Sequence, residues 1–163
     1  MESPSQARSV LGRRSVLRLF AAVPAAAALT TACSSAPDEP DPLVALAAAA
    51  KSDAQLAKAI AQAHSGLADA AGEIAAVRAE HADAMQREVD RVNPRDPEDP
   101  PSVPDPAPQQ APASASVATK ALRDALTGAQ DRAAQLMPGL EAYRAGLLGS
   151  VAASCASLRE VLG

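Results

Sequence analysis

Aromatic side chains are almost missing: the 163-residue chain has no Trp, one Tyr and one Phe. Strands draw on aromatic and β-branched residues, whereas the abundant Ala is the best helix former, so a β-sheet core is excluded. The fold class is therefore all-α. A core of Ala, Leu, Val and Ile buries little area per residue, so its helices must approach closely and its stability is modest. Side chains this small leave no large cavity, and no cofactor is expected. Cysteine is nearly absent too. Cys33 and Cys155 alone give neither a disulfide framework nor a paired-thiol metal motif. Basic residues are scarce after Cys33: 11 stand against 18 acids, a net of −7, compared with −4 for the whole chain. That balance excludes nucleic acid and argues against an anionic lipid surface as the main partner, since both require a basic face.

Long hydrophobic runs are also lacking. The stretch from Leu19 to Ala32 is uncharged and Ala-rich, but at fourteen residues it is shorter than the ~20 needed to span a bilayer. It follows a polar segment ending in Gly12-Arg13-Arg14-Ser15-Val16-Leu17-Arg18. A basic segment followed by a short apolar one is the pattern of a secretory signal. The paired Arg13 and Arg14, with an apolar residue two positions on and a base at 18, resemble a twin-arginine export signal. Leu29-Thr30-Thr31-Ala32-Cys33 resembles the bacterial lipobox, in which the Cys is lipidated and becomes the new N-terminus, although Thr30 stands where Leu is usual. Ordinary cleavage at the small residues Thr30-Thr31-Ala32 is the competing reading. A Cys followed by Ser34, Ser35 and an acidic, Pro-containing tether favours lipidation. The expected partner is then the membrane, reached by several acyl chains at the extracytoplasmic face, since a single chain binds only weakly. With Cys33 acylated, Cys155 has no partner, and its place on an apolar face predicts an inert buried thiol.

Residues 1–32 are thus read as a signal peptide and 33–41 as the lipidated Cys and tether. Asp41-Pro42 opens a helix, Asp being a favoured N-cap and Pro a favoured first helical residue. The first helical region covers 42–92. Residues 93–114 carry eight prolines in 22 positions, which reads as an extended, solvated linker of polyproline character. The second helical region covers 115–163.

Apolar residues recur at helical spacing in both regions. Leu46, Ala50, Ala57, Ile60, His64, Leu67, Ala71, Ile74, Arg78, His81, Met85 and Val92 form one stripe. Leu122, Ala125, Ala129, Ala133, Leu136, Leu140, Tyr143, Leu147, Val151, Cys155, Leu158 and Leu162 form the other. Each region has a break near its middle, at Ser65-Gly66 and at Pro138-Gly139. Unbroken register of the stripes favours two long kinked helices forming one hairpin. Linker length favours turns, because 22 residues suit a crossover along a bundle better than a loop between neighbours. The preferred architecture is an antiparallel bundle of four segments, 42–64, 66–92, 116–137 and 139–162, made of two hairpins joined by the Pro-rich crossover. That is a ferritin-like topology.

The stretches Asp41-Pro42-Leu43, Arg78-Ala79-Glu80-His81-Ala82 and Tyr143-Arg144-Ala145-Gly146-Leu147-Leu148-Gly149-Ser150 resemble the uncharacterised, alanine-rich twin-arginine lipoproteins of actinobacteria. More distantly, the chain is similar to a ferritin-like domain family of unknown function. The resemblance implies a helical bundle and brings no chemistry with it.

A di-iron site on such a bundle needs inward carboxylates and a Glu-x-x-His pair on one helical face. Arg78 stands three before His81 and Ala61 three before His64, so no such pair exists and no metal site is assigned. His64 and His81 approach each other only if the chain turns at Gly66, and are otherwise read as lining the core with polar partners. Arg78 and Arg132 face the same way and are expected to snorkel or to pair with an acid from a neighbouring helix. Asp83, Glu88 and Asp90, with Arg87 and Arg91, read as i,i+3 and i,i+4 pairs on a solvated face. No catalytic residue, phosphate loop or metalloprotease motif is present. The function expected is a non-enzymatic helical interaction module of the cell envelope with an unidentified protein partner. The alternative is a ferritin-like small-ligand or metal-binding bundle.

Overall fold

The computed structural model describes residues 40–163. Four α-helices pack together: α1 (Pro42–Ala63), α2 (Ala68–Val92), α3 (Ala115–Leu136) and α4 (Ala142–Glu160). No strand forms among the described residues. The start of α1 is fixed as its sequence dictates. The Asp41 carboxylate accepts from the Leu43 N–H at 2.9 Å, and Pro42 takes the first turn, where its missing N–H costs nothing. Ser114 caps α3 through the Val117 N–H.

Both mid-region breaks are turns rather than kinks. His64 adopts an extended conformation (φ −127, ψ 95), ends α1, and is followed by a 3₁₀ turn over Ser65–Leu67. Met137–Gly139 forms a second 3₁₀ turn, after which Leu140 and Glu141 are extended and α4 begins. The alternative of two long kinked helices is thereby replaced by four separate helices. Gly66 and Gly139 keep negative φ, Gly163 being the single described residue with positive φ. The turns are therefore made by extended residues and not by glycine's left-handed freedom.

α1 packs most extensively on α2, and α3 on α4, with lesser contact between α1 and α3 and little between α2 and α4. Close approach comes from Ala: Ala47, Ala50, Ala57, Ala71 and Ala118 are completely buried in the seams. The core divides in two. One apolar cluster holds Ile60, Ile74, Leu122, Leu126, Val151 and Leu158; the other holds Leu43, Leu46, Met85, Val89 and Leu148.

The Pro-rich segment is mostly exposed, as expected of an extended linker, but the second cluster contains one residue from it. Val103 is completely buried, its carbonyl accepts from Lys51 Nζ at 2.9 Å, and the same ammonium bonds Asp105 at 3.0 Å. Further on, Ala111 packs against the first cluster and the Pro112 carbonyl accepts from His64 Nε2 at 2.8 Å. The segment has no helix, yet it lies along the bundle as a strap anchored at three points. Burying one Val side chain contributes roughly 1.5–3 kcal/mol, enough to order an otherwise polar segment at that point.

Candidate functional site

Between the two apolar clusters sits a charged layer. Arg78, in the middle of α2, is 1% exposed, and its Nη2 donates to Asp53 Oδ2 of α1 at 2.8 Å. Its Nη1 lies 3.1 Å from His81 Nδ1 and 3.6 Å from Cys155 Sγ of α4. A guanidinium has only donors, so His81 Nδ1 must accept and its proton resides on Nε2. Burial first, and the Arg78 charge second, push the imidazole down to about 4. Burial pushes the Asp53 carboxyl above the ordinary carboxylate range, with Arg78 and, more weakly, Arg132 offsetting part of the rise. Burial likewise raises the Cys155 thiol. A thiolate nucleophile needs a depressed thiol in an accessible, electropositive place, and Cys155 is fully buried.

A second polar cluster lies where α1 begins. Glu88 of α2 is 3% exposed and receives Arg91 in a two-pronged contact, Nε and Nη2 each at 2.8 Å. Arg144 of α4 approaches Glu88 at 3.6 Å and also bonds Asp41, so one carboxylate caps α1 and ties it to α4. The Arg91 hydrogen bonds hold the Glu88 carboxyl below its usual range, against its own burial and the nearby Asp41. Arg91 also stands over the Tyr143 ring, 5.9 Å from its centroid. Tyr143 is 69% exposed, which removes it from the core stripe expected of α4. Val92, placed on the α2 stripe, is exposed as well. Glu88, in contrast, is not on a solvated face.

Of the residues singled out in the sequence, Arg13, Arg14 and Cys33 lie outside the described residues. The structure does not unite His64 and His81. His64 precedes α2, while His81 lies about 20 Å along it at 1.5 Å per residue, and the two imidazoles bond different partners. Among the described residues no group of three or more His, Cys, Asp or Glu is placed to hold a metal ion. None of the described helices is long and apolar enough to cross a membrane. Arg78 finds its acid on a neighbouring helix; Arg132 has no ion-pair partner among the described residues.

Sequence reasoning missed Asp53 and Arg144, and it paired Glu88 with Arg91 at i,i+3 as the structure does but placed that pair on a solvated face. A signal existed for Asp53, which falls three after Ala50 and four before Ala57, a stripe position passed over because it is charged. Glu88 likewise falls three after Met85. Arg144 had no such signal, since its partners come from α1 and α2.

No known protein family, no curated protein and no solved structure matches this chain.

Proposed function

We propose that the protein is an extracytoplasmic lipoprotein, exported by the twin-arginine route and held to the membrane through a lipid on Cys33. In this reading the bundle is an interaction module of the cell envelope and not an enzyme. The observation that carries it is the sequence from Arg13 to Cys33: paired arginines, a short uncharged segment, and a Cys followed at once by a polar tether. The nine residues from Cys33 to Asp41, eight steps along the chain, reach at most about 28 Å when fully extended. The bundle's Asp41 end, with its exposed Tyr143 and Arg91, would therefore face the membrane. Internal use of the ionisable groups supports a non-enzymatic role: Arg78 bonds both Asp53 and His81, Arg91 bonds Glu88, and Arg144 joins Glu88 to Asp41.

The finer topology belongs to the same proposal. The helices form two antiparallel hairpins joined by the 93–114 crossover, as in ferritin-like bundles. What supports this is the dominance of the α1–α2 and α3–α4 packing and the meeting of Asp41 with Arg144 at one end. His64 meets Pro112 at the other.

A second reading, a ferritin-like bundle that binds a small ligand, is favoured by one observation. The Nε–H of Arg78, in the core, has no hydrogen-bond partner.

The address is tested by fractionating cells that express three forms of the chain. The native protein is expected in the membrane fraction. Changing Arg13 and Arg14 to Lys should leave uncleaved chain in the cytoplasm, and Cys33→Ala should release exported protein into the soluble fraction. A Cys33→Ala protein that stays membrane-bound would overturn the lipid anchor.

A further inference from the structure

The charged layer does not balance. The buried Arg78 and the exposed Arg132 bring two positive charges and Asp53 one negative, while His81 is neutral because its Nδ1 accepts from Arg78. Both arginines line a cavity of about 10 Å³, walled otherwise by Leu46, Met85 and Val151. That volume is close to the smallest that admits one water-sized group. Arg78 is 1% exposed and its Nε–H is unpartnered. A buried, charged donor left without an acceptor is costly, so an acceptor beside it is favoured.

Two residues of that cavity's wall also border a second space. Leu46 and Arg132 also line a groove of about 250 Å³ between α1 and α3, bounded by Pro42, Ala45 and Leu136 and predominantly apolar. Arg132 is laid across this junction by its helix. Its Nη1 stands 3.0 Å from where a Cβ on Gly128 would be, so the bare glycine gives the guanidinium room to fold back along α3. The result is an apolar groove bordered by the exposed, unpaired Arg132, beside a cavity lined by Arg78, whose Nε–H is orphaned.

We propose that this arrangement binds an aliphatic monocarboxylate. One carboxylate oxygen occupies the water-sized cavity and accepts from Arg78 Nε–H, the other accepts from Arg132, and the alkyl chain lies in the α1–α3 groove. The ligand's charge neutralises the layer, and charge-assisted bonds to guanidinium are the strong kind. The proposal rests on the small-ligand reading and is independent of the lipid anchor.

The test is calorimetric titration of the full-length Cys33→Ala chain with octanoate, octanol and chloride. Octanoate should bind at one site and octanol and chloride at least tenfold more weakly. Arg132→Gln, which removes an exposed and unpaired charge, should stay folded by circular dichroism and lose at least tenfold in octanoate affinity. Gly128→Ala should also weaken octanoate by displacing Arg132 while leaving its charge in place. Octanol binding as tightly as octanoate would overturn the carboxylate but keep the small-ligand reading, as would chloride matching octanoate. Octanoate affinity unchanged in Arg132→Gln would overturn the proposed site. Binding of none of the three probes would overturn both the site and the small-ligand reading.

Discussion

Arg78→Ala is expected to lower the unfolding free energy by about 3–5 kcal/mol, the cost of leaving one member of a buried ion pair without its partner. Asp53 would be left without its partner in a site 15% exposed, and the bulk removed would leave a void between the two apolar clusters. A domain of this size commands only about 5–15 kcal/mol in total, and an Ala-rich core sits toward the lower end. The variant should therefore be extensively unfolded at moderate temperature. The decisive comparison is the double replacement Arg78→Met with Asp53→Leu, which fills the layer with apolar volume. Buried ion pairs replaced in this way are often neutral or stabilised by about 1–4 kcal/mol. Urea denaturation followed by circular dichroism should find the double variant at least as stable as the native chain and far more stable than Arg78→Ala. A double variant as unstable as the single one would mean that the layer holds the bundle by something other than charge pairing.

Acid should loosen the bundle earlier than ordinary carboxylate titration would. The folded state holds the His81 imidazole down at about 4 against 6.5 for a free one. Between those values the unfolded chain binds a proton that the folded chain refuses, so stability is complete above pH 6.5 and falls as pH drops toward 4. Protonation would set a second cation 3.1 Å from the Arg78 guanidinium. Discounted for partial solvent access, the loss is on the order of 2 kcal/mol. Glu88 acts in the same direction lower down: its depressed carboxyl stabilises above about pH 4.5 and that contribution disappears as pH falls through its folded value. Asp53 opposes both, because its raised carboxyl takes up a proton in the folded state first and stability is regained as pH falls through that value. Thermal midpoints measured from pH 7 to pH 4 should fall steadily, and His81→Gln should flatten the part above pH 4.5. A curve flat from pH 7 to 5 in the native chain would contradict the His81–Arg78 contact.

The helices were legible because Ala and the prolines speak clearly. Ala-rich apolar stripes run where α1 to α4 form, and a Pro-rich stretch separates the two pairs. The turns were legible less sharply. Ser65-Gly66 and Pro138-Gly139 marked the right places, but the residues that break the helices are the extended His64, Leu140 and Glu141. The strap was not legible at all. One Val among eight prolines has no periodicity to betray its burial, and only the third dimension brings Lys51 to its carbonyl. Tyr143 illustrates the opposite error. Its spacing puts it on the α4 stripe, but the buried face begins at Leu148, and in the first turn Arg144 points inward to Asp41 and Glu88 instead. The charged layer was half legible: Arg78 and His81 stood out on an apolar face, while Asp53 filled a gap in the stripe that charge alone had disguised.

The measurement that bears most directly on the membrane anchor is the intact mass of the mature protein extracted from membranes. A mass equal to residues 33–163 plus acyl groups, with the lipid released from an N-terminal Cys33 fragment, is the result expected. A mature chain that begins at any other residue, or that begins at Cys33 with no lipid attached, would contradict it.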